Sequence, residues 1–289
     1  MFWGIFYKIY NFCSRRSKFI TTIRPNKLFI DRNNSLKIVS YNIDGLFLHY
    51  NHNNYVNISK YIRYLFTDEK IDIICLQEVW EKNIYDLIIK NLNDLNLFHT
   101  FPPTSKKYCV GEHSGLLIIS KYPIILSDFE IYDKSNFTCL MTNKGIQYVT
   151  IKVNNDYISL INTHLQSSFN RYNLQYQNTT INQINFIKDY LLKYNIKNCI
   201  ILGDLNLREK YMDLFLSDNS DFKVPYNYKN LISFPEENEL LDYFLFYNDI
   251  FEDKKINFKI CNNIYYSDHY PIMININKNL RNKIIIEEN

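Results

Sequence analysis

Apolar and polar positions along this chain follow two rhythms. Short apolar runs bounded by polar residues occupy 36–42, 71–78, 115–119, 148–153, 157–164, 199–206 and 240–246. Each is too short for an ordinary helix and is rich in β-branched or aromatic residues, so each predicts a strand. Between them lie stripes at helical spacing. Ile58, Tyr61, Ile62 and Leu65 share one face, with Asn57 as a cap. Ile84, Leu87, Ile88, Leu92 and Leu95 share another, and Ile181, Ile184, Ile187 and Leu191 a third, starting at Asn178 or Thr179. Residues 207–239 show weak periodicity and contain Pro225 and Pro235, which predicts a long excursion between two strands.

The two ends differ from this body. Phe2, Ile5, Phe6, Ile9 and Phe12 or Cys13 recur at helical spacing, followed by Arg15, Arg16 and Lys18. The apolar part is shorter than the roughly 20 residues a bilayer span needs. It lacks a basic start and a small-residue cleavage site, so it makes a poor signal peptide. Three readings stand: an interfacial membrane anchor, a helix packed against the domain, or a frayed leader. Residues 1–35 are therefore read as an amphipathic segment plus linker, 36–280 as one domain and 281–289 as a charged tail. The expected location is intracellular, peripheral on a membrane through residues 1–20.

The strands share an unusual ending. They terminate on Asn42, on Glu78, on His164, and on Asp204 with Asn206; another apolar run carries Asp242, and Asp268-His269 precede the last. Asp204 and Asn206 sit two apart and so point to one side of an extended chain. If these strands lie adjacent in sheets, the tips converge. A cluster of hard oxygen donors suits Mg²⁺ or Mn²⁺. Two histidines beside it suit proton transfer near neutral pH. Taken singly, each tip also fits a turn residue or a satisfied structural group.

Composition narrows the classes. With 289 residues the chain can bury a large core, and the tips are spread over its length, which argues for one domain sharing one site. A balance of 33 basic and 30 acidic residues gives a net charge of +3, without the basic excess of a strong non-specific nucleic-acid binder. The six cysteines include no C-x-x-C pair, so a zinc site is not expected; Cys75 and Cys199 fall in core strands as buried thiols. Five of the six glycines (Gly45, Gly111, Gly115, Gly145, Gly203) lie in or near the polar tips, where the backbone has reason to need them.

The ordered set Asn42, Glu78, His164, Asp204/Asn206, Asp242 and Asp268-His269 resembles the endonuclease/exonuclease/phosphatase superfamily, over nearly all of 36–276. That resemblance implies a four-layered α/β sandwich, two packed and mostly antiparallel sheets flanked by helices, and metal-dependent phosphoester hydrolysis. It implies Glu78 as principal metal ligand, with Asn42 supporting the metal or the phosphate, and Asp268 as a second-site or water-mediated ligand. His269 would be the general base, oriented by Asp242. His164 would assist the phosphate or protonate the leaving oxygen. Asp204 would position water or stabilise developing charge, and Asn206 would donate to a phosphate oxygen. His49, His52, His99 and His113 are left as structural or solvated.

Three stretches look like neutral sphingomyelinases within that superfamily: Gln77-Glu78-Val79-Trp80, Asn143-Lys144-Gly145-Ile146-Gln147-Tyr148-Val149, and Asn162-Thr163-His164-Leu165-Gln166-Ser167-Ser168. The resemblance implies a Mg²⁺-dependent phospholipase-C-type enzyme, acting as a monomer on a phospholipid or sphingolipid at a membrane surface. A nuclease of the same fold is the second reading, and a catalytically silent interaction module the third.

Overall fold

The computed structural model describes residues 35–45, 52–102, 114–136, 139, 142–167, 174–248, 256–263 and 266–277. The expected N-terminal helix, most of the linker and the charged tail lie outside these residues. Twelve strands and four helices are present among them. The strands are β1 (Ser35–Asn42), β2 (Ile73–Val79), β3 (Phe98–Thr100), β4 (Gly115–Ser120), β5 (Ile124–Ile131), β6 (Gly145–Val153), β7 (Asp156–His164), β8 (Cys199–Asp204), β9 (Phe222–Lys223), β10 (Asp242–Tyr247), β11 (Ile256–Ile260) and β12 (Ile272–Asn277). The helices are α1 (His52–Thr67), α2 (Lys82–Leu92), α3 (Leu174–Lys193) and α4 (Glu209–Asp218).

The strands form two six-stranded sheets, ordered β11-β12-β1-β2-β4-β3 and β5-β6-β7-β8-β10-β9. Each has a single parallel pair near its centre, β1 with β2 and β7 with β8; every other neighbour is antiparallel. The expected sandwich of two mostly antiparallel sheets with helices is therefore what the chain forms.

The central strands read as continuous apolar runs because both of their faces are covered. Along β1 and β2, Ile38, Ile73 and Cys75 turn into the core shared with the second sheet. Their neighbours Val39, Ile74 and Leu76 turn outward, onto Ile58, Ile62, Leu65, Ile84 and Ile88 of α1 and α2. The apolar sides of α3 and α4 (Ile184, Ile187, Leu191, Met212, Phe215) join the core of the second sheet.

A chain of buried amides crosses between the sheets. Gln77 Nε2 donates to Asn162 Oδ1 at 2.8 Å. Asn162 Nδ2 donates to Leu76 O at 3.0 Å and Gln147 Oε1 at 3.1 Å, and Gln147 Nε2 to Thr100 O at 2.8 Å. All three amide residues are fully buried and bonded, so they fix one register between the sheets where a purely apolar layer could slide.

Three sequence expectations are corrected. Asn57 lies inside α1 rather than capping it, because the helix begins earlier and buries Tyr55 as well. Neither Asn178 nor Thr179 starts α3, which begins at Leu174; its inward residues Gln177, Thr180 and Gln183 are polar and interrupt the apolar stripe. The excursion 207–239 contains α4 and β9; Met212 and Phe215 face the core, but an exposed Leu214 between them blurs the period. Cys75 and Cys199 are buried free thiols as expected, and burial pushes both up.

Candidate active site

Parallel neighbours end on the same side, so the two parallel pairs deliver four strand ends to one rim. Register places Asn42 beside Gln77 across β1 and β2, and His164 beside Asp204 across β7 and β8. The antiparallel strands start where these end: Asp242 pairs with Asp204, and Ile272, just after His269, pairs with Ser40. The alternation of strand directions thus brings Asn42, Glu78, His164, Asp204, Asp242 and His269 together. Asn206 and Asp268 stand at the edge of the same group, partly exposed with Glu78. Beneath them Asn42, His164, Asp204, Asp242 and His269 form a buried floor.

Local backbone geometry aims the tips. Glu78 has φ +62° and sits in a bulge of the β2–β4 pairing between Leu76 and Val79. A long side chain in the left-handed region costs of order 1–3 kcal/mol and persists only where its surroundings enforce it. Here the backbone of Gly45 is pressed against the Glu78 carbonyl, and a Cβ at Gly45 would lie 1.9 Å from that oxygen. Asn206 is also left-handed, at φ +49°, a conformation Asn tolerates, and its N–H donates to Asp204 Oδ1 at 2.9 Å.

The Asn42 amide is the hub of the acidic group. Its Nδ2 donates to Glu78 Oε1 at 3.0 Å and to Asp204 Oδ2 at 3.1 Å. Its Oδ1 accepts from the Asp44 N–H at 3.1 Å, which fixes the orientation of the amide. Trp80 Nε1 donates to the other Glu78 oxygen, Oε2, at 3.3 Å. Ligand atoms of Glu78, His164 and Asp204 lie within 4.8 Å of one another and could hold a metal ion. Two carboxylates converging on one neutral amide leave negative charge uncompensated. Burial pushes the Asp204 carboxyl up to about 7; His269 and Lys144 oppose the rise, while Asp242 and Glu78 add to it. A hard divalent cation fits such a donor set. Asp268 is not in this triad; its Oδ1 lies 3.2 Å from Ser267 Oγ.

On the other side of Asp204 stands an imidazole–carboxylate pair. His269 Nδ1 bonds Asp242 Oδ2 at 2.7 Å, and His269 Nε2 lies 3.8 Å from Asp204 Oδ2. Burial alone would push the imidazole down. The Asp242 and Asp204 charges, the hydrogen bond to Asp242 and the Asp268 charge outweigh it and raise His269 to about 10. Ser267 ties the segment to β1, donating to Asn42 O at 2.8 Å and accepting from the His269 N–H at 3.2 Å.

No pattern in the sequence marked Lys144 as a site residue, beyond its place in the quoted Asn143-Lys144-Gly145 stretch. The structure buries its ammonium in the site, 2.8 Å from His164 Nε2 and donating to Leu165 O at 2.7 Å. The usable signal was a lysine immediately before the largely buried strand β6, where a charged group must find partners. Burial, then the Lys144 and His269 charges, hold His164 well below the usual imidazole range. His164 is thus neutral, with Nε2 accepting from Lys144. Among the other histidines, His99 is buried away from this cluster and bonded to the Tyr85 hydroxyl at 2.8 Å; His49, His113 and the His52 side chain lie outside the described residues.

The family model described as "Endonuclease/Exonuclease/phosphatase family" matches residues 39–269, a span that contains every tip named above. A sphingomyelinase of Dictyostelium discoideum is 28% identical over 193 residues, covering 55% of this chain and 42% of that protein. A sphingomyelinase C of Bacillus cereus is 24% identical over 221 residues, covering 70% of this chain and 64% of that protein. The chain therefore spans less than two thirds of these relatives. A crystal structure of a Staphylococcus aureus beta toxin mutant with bound magnesium ions superposes with a TM-score of 0.67 at 22% identity, covering 83% of this chain and 99% of the other.

Proposed function

The chain belongs to the endonuclease/exonuclease/phosphatase family, and on that premise we propose that it is a divalent-metal-dependent phosphodiesterase of sphingomyelinase type. It would cleave a phospholipid on the phospholipase-C side, releasing the phosphorylated headgroup. The observation that carries this reading is the buried Asp242–His269 pair facing, across Asp204, the Glu78–Asn42–Asp204 group. Such a site combines a base with an acidic pocket, which is what in-line attack of water on a phosphodiester requires. The named sphingomyelinases among its relatives favour a lipid over a nucleic acid, as does the near-neutral charge balance.

Glu78 and Asp204 would hold Mg²⁺ or Mn²⁺, with the Asn42 amide orienting both carboxylates and Asp268 at the edge of the group. When bound, the cation would supply Lewis-acid chemistry at the phosphate and offset the Asp204 charge that His269 Nε2 faces. His269 would take the proton of the attacking water at Nε2. Asp242 accepts the Nδ1–H, holding the tautomer and the ring plane. The Lys144 ammonium, fixed by His164 and Leu165, meets the charge that develops on the phosphate and the leaving oxygen, and the proton taken by His269 returns through solvent to that oxygen. His164, being neutral and already engaged by Lys144, serves by orienting that ammonium. Asn206 donates from the rim. The aromatic segment within residues 1–20 would supply contact with the lipid surface.

The test is hydrolysis of sphingomyelin in mixed micelles with Mg²⁺, followed by phosphocholine release, beside plasmid nicking by the same preparation. The expected outcome is phosphocholine release without nicking, lost in His269→Ala and in Glu78→Gln. Nicking alone would refute the lipid assignment and make the chain a nuclease of this family.

A further inference from the structure

The stretch 233–239, part of the excursion, is a tight hairpin closed by a bridge between Phe234 and Glu239. Its first residue, Ser233, is fully buried. The Ser233 hydroxyl oxygen accepts from the N–H of Leu241 at 3.0 Å and of Asp242 at 3.1 Å. The Ser233 carbonyl accepts from the N–H of Tyr270 at 2.7 Å. One residue thus grips both halves of the imidazole–carboxylate pair through their own backbone: Asp242 directly, and His269 through the residue that follows it. The next residue, Phe234, lays its ring against the His269 imidazole, with centroids 4.8 Å apart. The outer end of the hairpin is anchored too. Arg208, two residues beyond Asn206, donates to Glu239 Oε1 at 3.2 Å and Glu237 Oε2 at 3.0 Å.

We propose that Ser233 is a positioning residue, which sets the separation and mutual angle of Asp242 and His269, with Phe234 limiting ring rotation and Arg208 holding the hairpin down. The inference rests on the reading of Asp242–His269 as the base pair. Asp242 stands at the first position of β10, where sheet pairing begins, and His269 lies outside any strand. The sheet therefore does not by itself fix their relation across 27 residues of chain. Ser233 supplies the missing constraint with two backbone-directed bonds on one side and one on the other. Losing it leaves two N–H groups of Leu241 and Asp242 without an acceptor and lets the two segments drift. A drift of about 1 Å at a base costs about 100-fold in turnover.

The experiment compares Ser233→Ala with Ser120→Ala. Ser120 is an equally buried serine that accepts from the Tyr122 N–H at 2.9 Å, at the end of β4 remote from the site. Two readouts are taken: kcat and KM on sphingomyelin mixed micelles, and the downfield proton resonance of the His269 Nδ1–H. In Ser233→Ala, kcat falls about 10- to 100-fold with KM unchanged, and the resonance broadens; Ser120→Ala moves neither. If Ser233→Ala does not fold, Arg208→Gln, which frees the hairpin from its exposed end, must lower kcat and broaden the resonance. Unchanged kcat and resonance in the folded variant, beside an inactive His269→Ala, overturn the positioning role alone. Turnover that survives in His269→Ala overturns the underlying base assignment instead.

Discussion

Gly203 is the position at which fold and site are most tightly coupled. It lies at φ +139°, in register with Thr163 of the parallel neighbour β7, one residue before the His164–Asp204 pair. A Cβ at Gly203 would stand 1.8 Å from the Thr163 carbonyl oxygen, where ordinary contact needs more than 3.4 Å. Gly203→Ala must therefore push β7 and β8 apart by about 1.5 Å or break their ladder. Backbone strain of about 1–3 kcal/mol and overpacking of another 1–3 kcal/mol give a loss of about 2–6 kcal/mol. For a domain of this size that lowers Tm by roughly 5–15 °C. The displacement falls on the strand ends carrying His164 and Asp204, so turnover drops by about 100-fold or more in the fraction that stays folded. Differential scanning calorimetry and phosphocholine release on one preparation read both effects. A variant with wild-type Tm and wild-type kcat would refute the claim that close β7–β8 approach at Gly203 builds the site.

Further predictions follow from the same geometry. Lys144→Met should lower kcat by about 100- to 1,000-fold while leaving a folded protein; a change of less than threefold would remove Lys144 from the site. Asn162→Leu removes one bond each from Gln77 Nε2, which keeps Ser40 Oγ at 3.0 Å, from Gln147 Oε1 and from Leu76 O, and a buried acceptor left bare costs about 1–3 kcal/mol, so urea unfolding should show a lower midpoint and Mn²⁺ affinity should fall, because Glu78 and Asp204 come from opposite sheets. In EDTA-treated protein, His269 is raised to about 10. Its stabilising effect is complete below the unfolded value near 6.5 and is lost as pH rises through 10. Tm should therefore fall between pH 8 and 10, above the Asp204 midpoint at about 7, and Asp242→Asn should flatten that slope; equal slopes in the two proteins would sink the idea.

Much of the site could be read from the sequence because its chemistry sits at strand ends. An apolar run that stops on Asn42, Glu78 or His164 announces both a buried strand and a polar group placed at its tip. Helix starts were harder. Asn57 and Asn178 look like caps in isolation, yet Tyr55 and the polar face of Gln177, Thr180 and Gln183 are buried by their neighbours and extend α1 and α3 past them. The excursion 207–239 hid α4 and a hairpin whose Ser233 and Phe234 reach Asp242 and His269.

The sequence alone determined the order of the polar tips and the kind of chemistry they suit, since residue type and spacing carry that information, and the class of the fold followed from the resemblance that this ordered set carries. Tertiary structure decided which groups share a charge environment. Lys144 beside His164, Asn42 between Glu78 and Asp204, and Ser233 bridging Asp242 and Tyr270 are contacts between segments distant along the chain. The same closeness raises Asp204 and His269 and holds His164 neutral. Electrostatic energies depend on separation and burial, and neither exists until the two sheets have closed on each other.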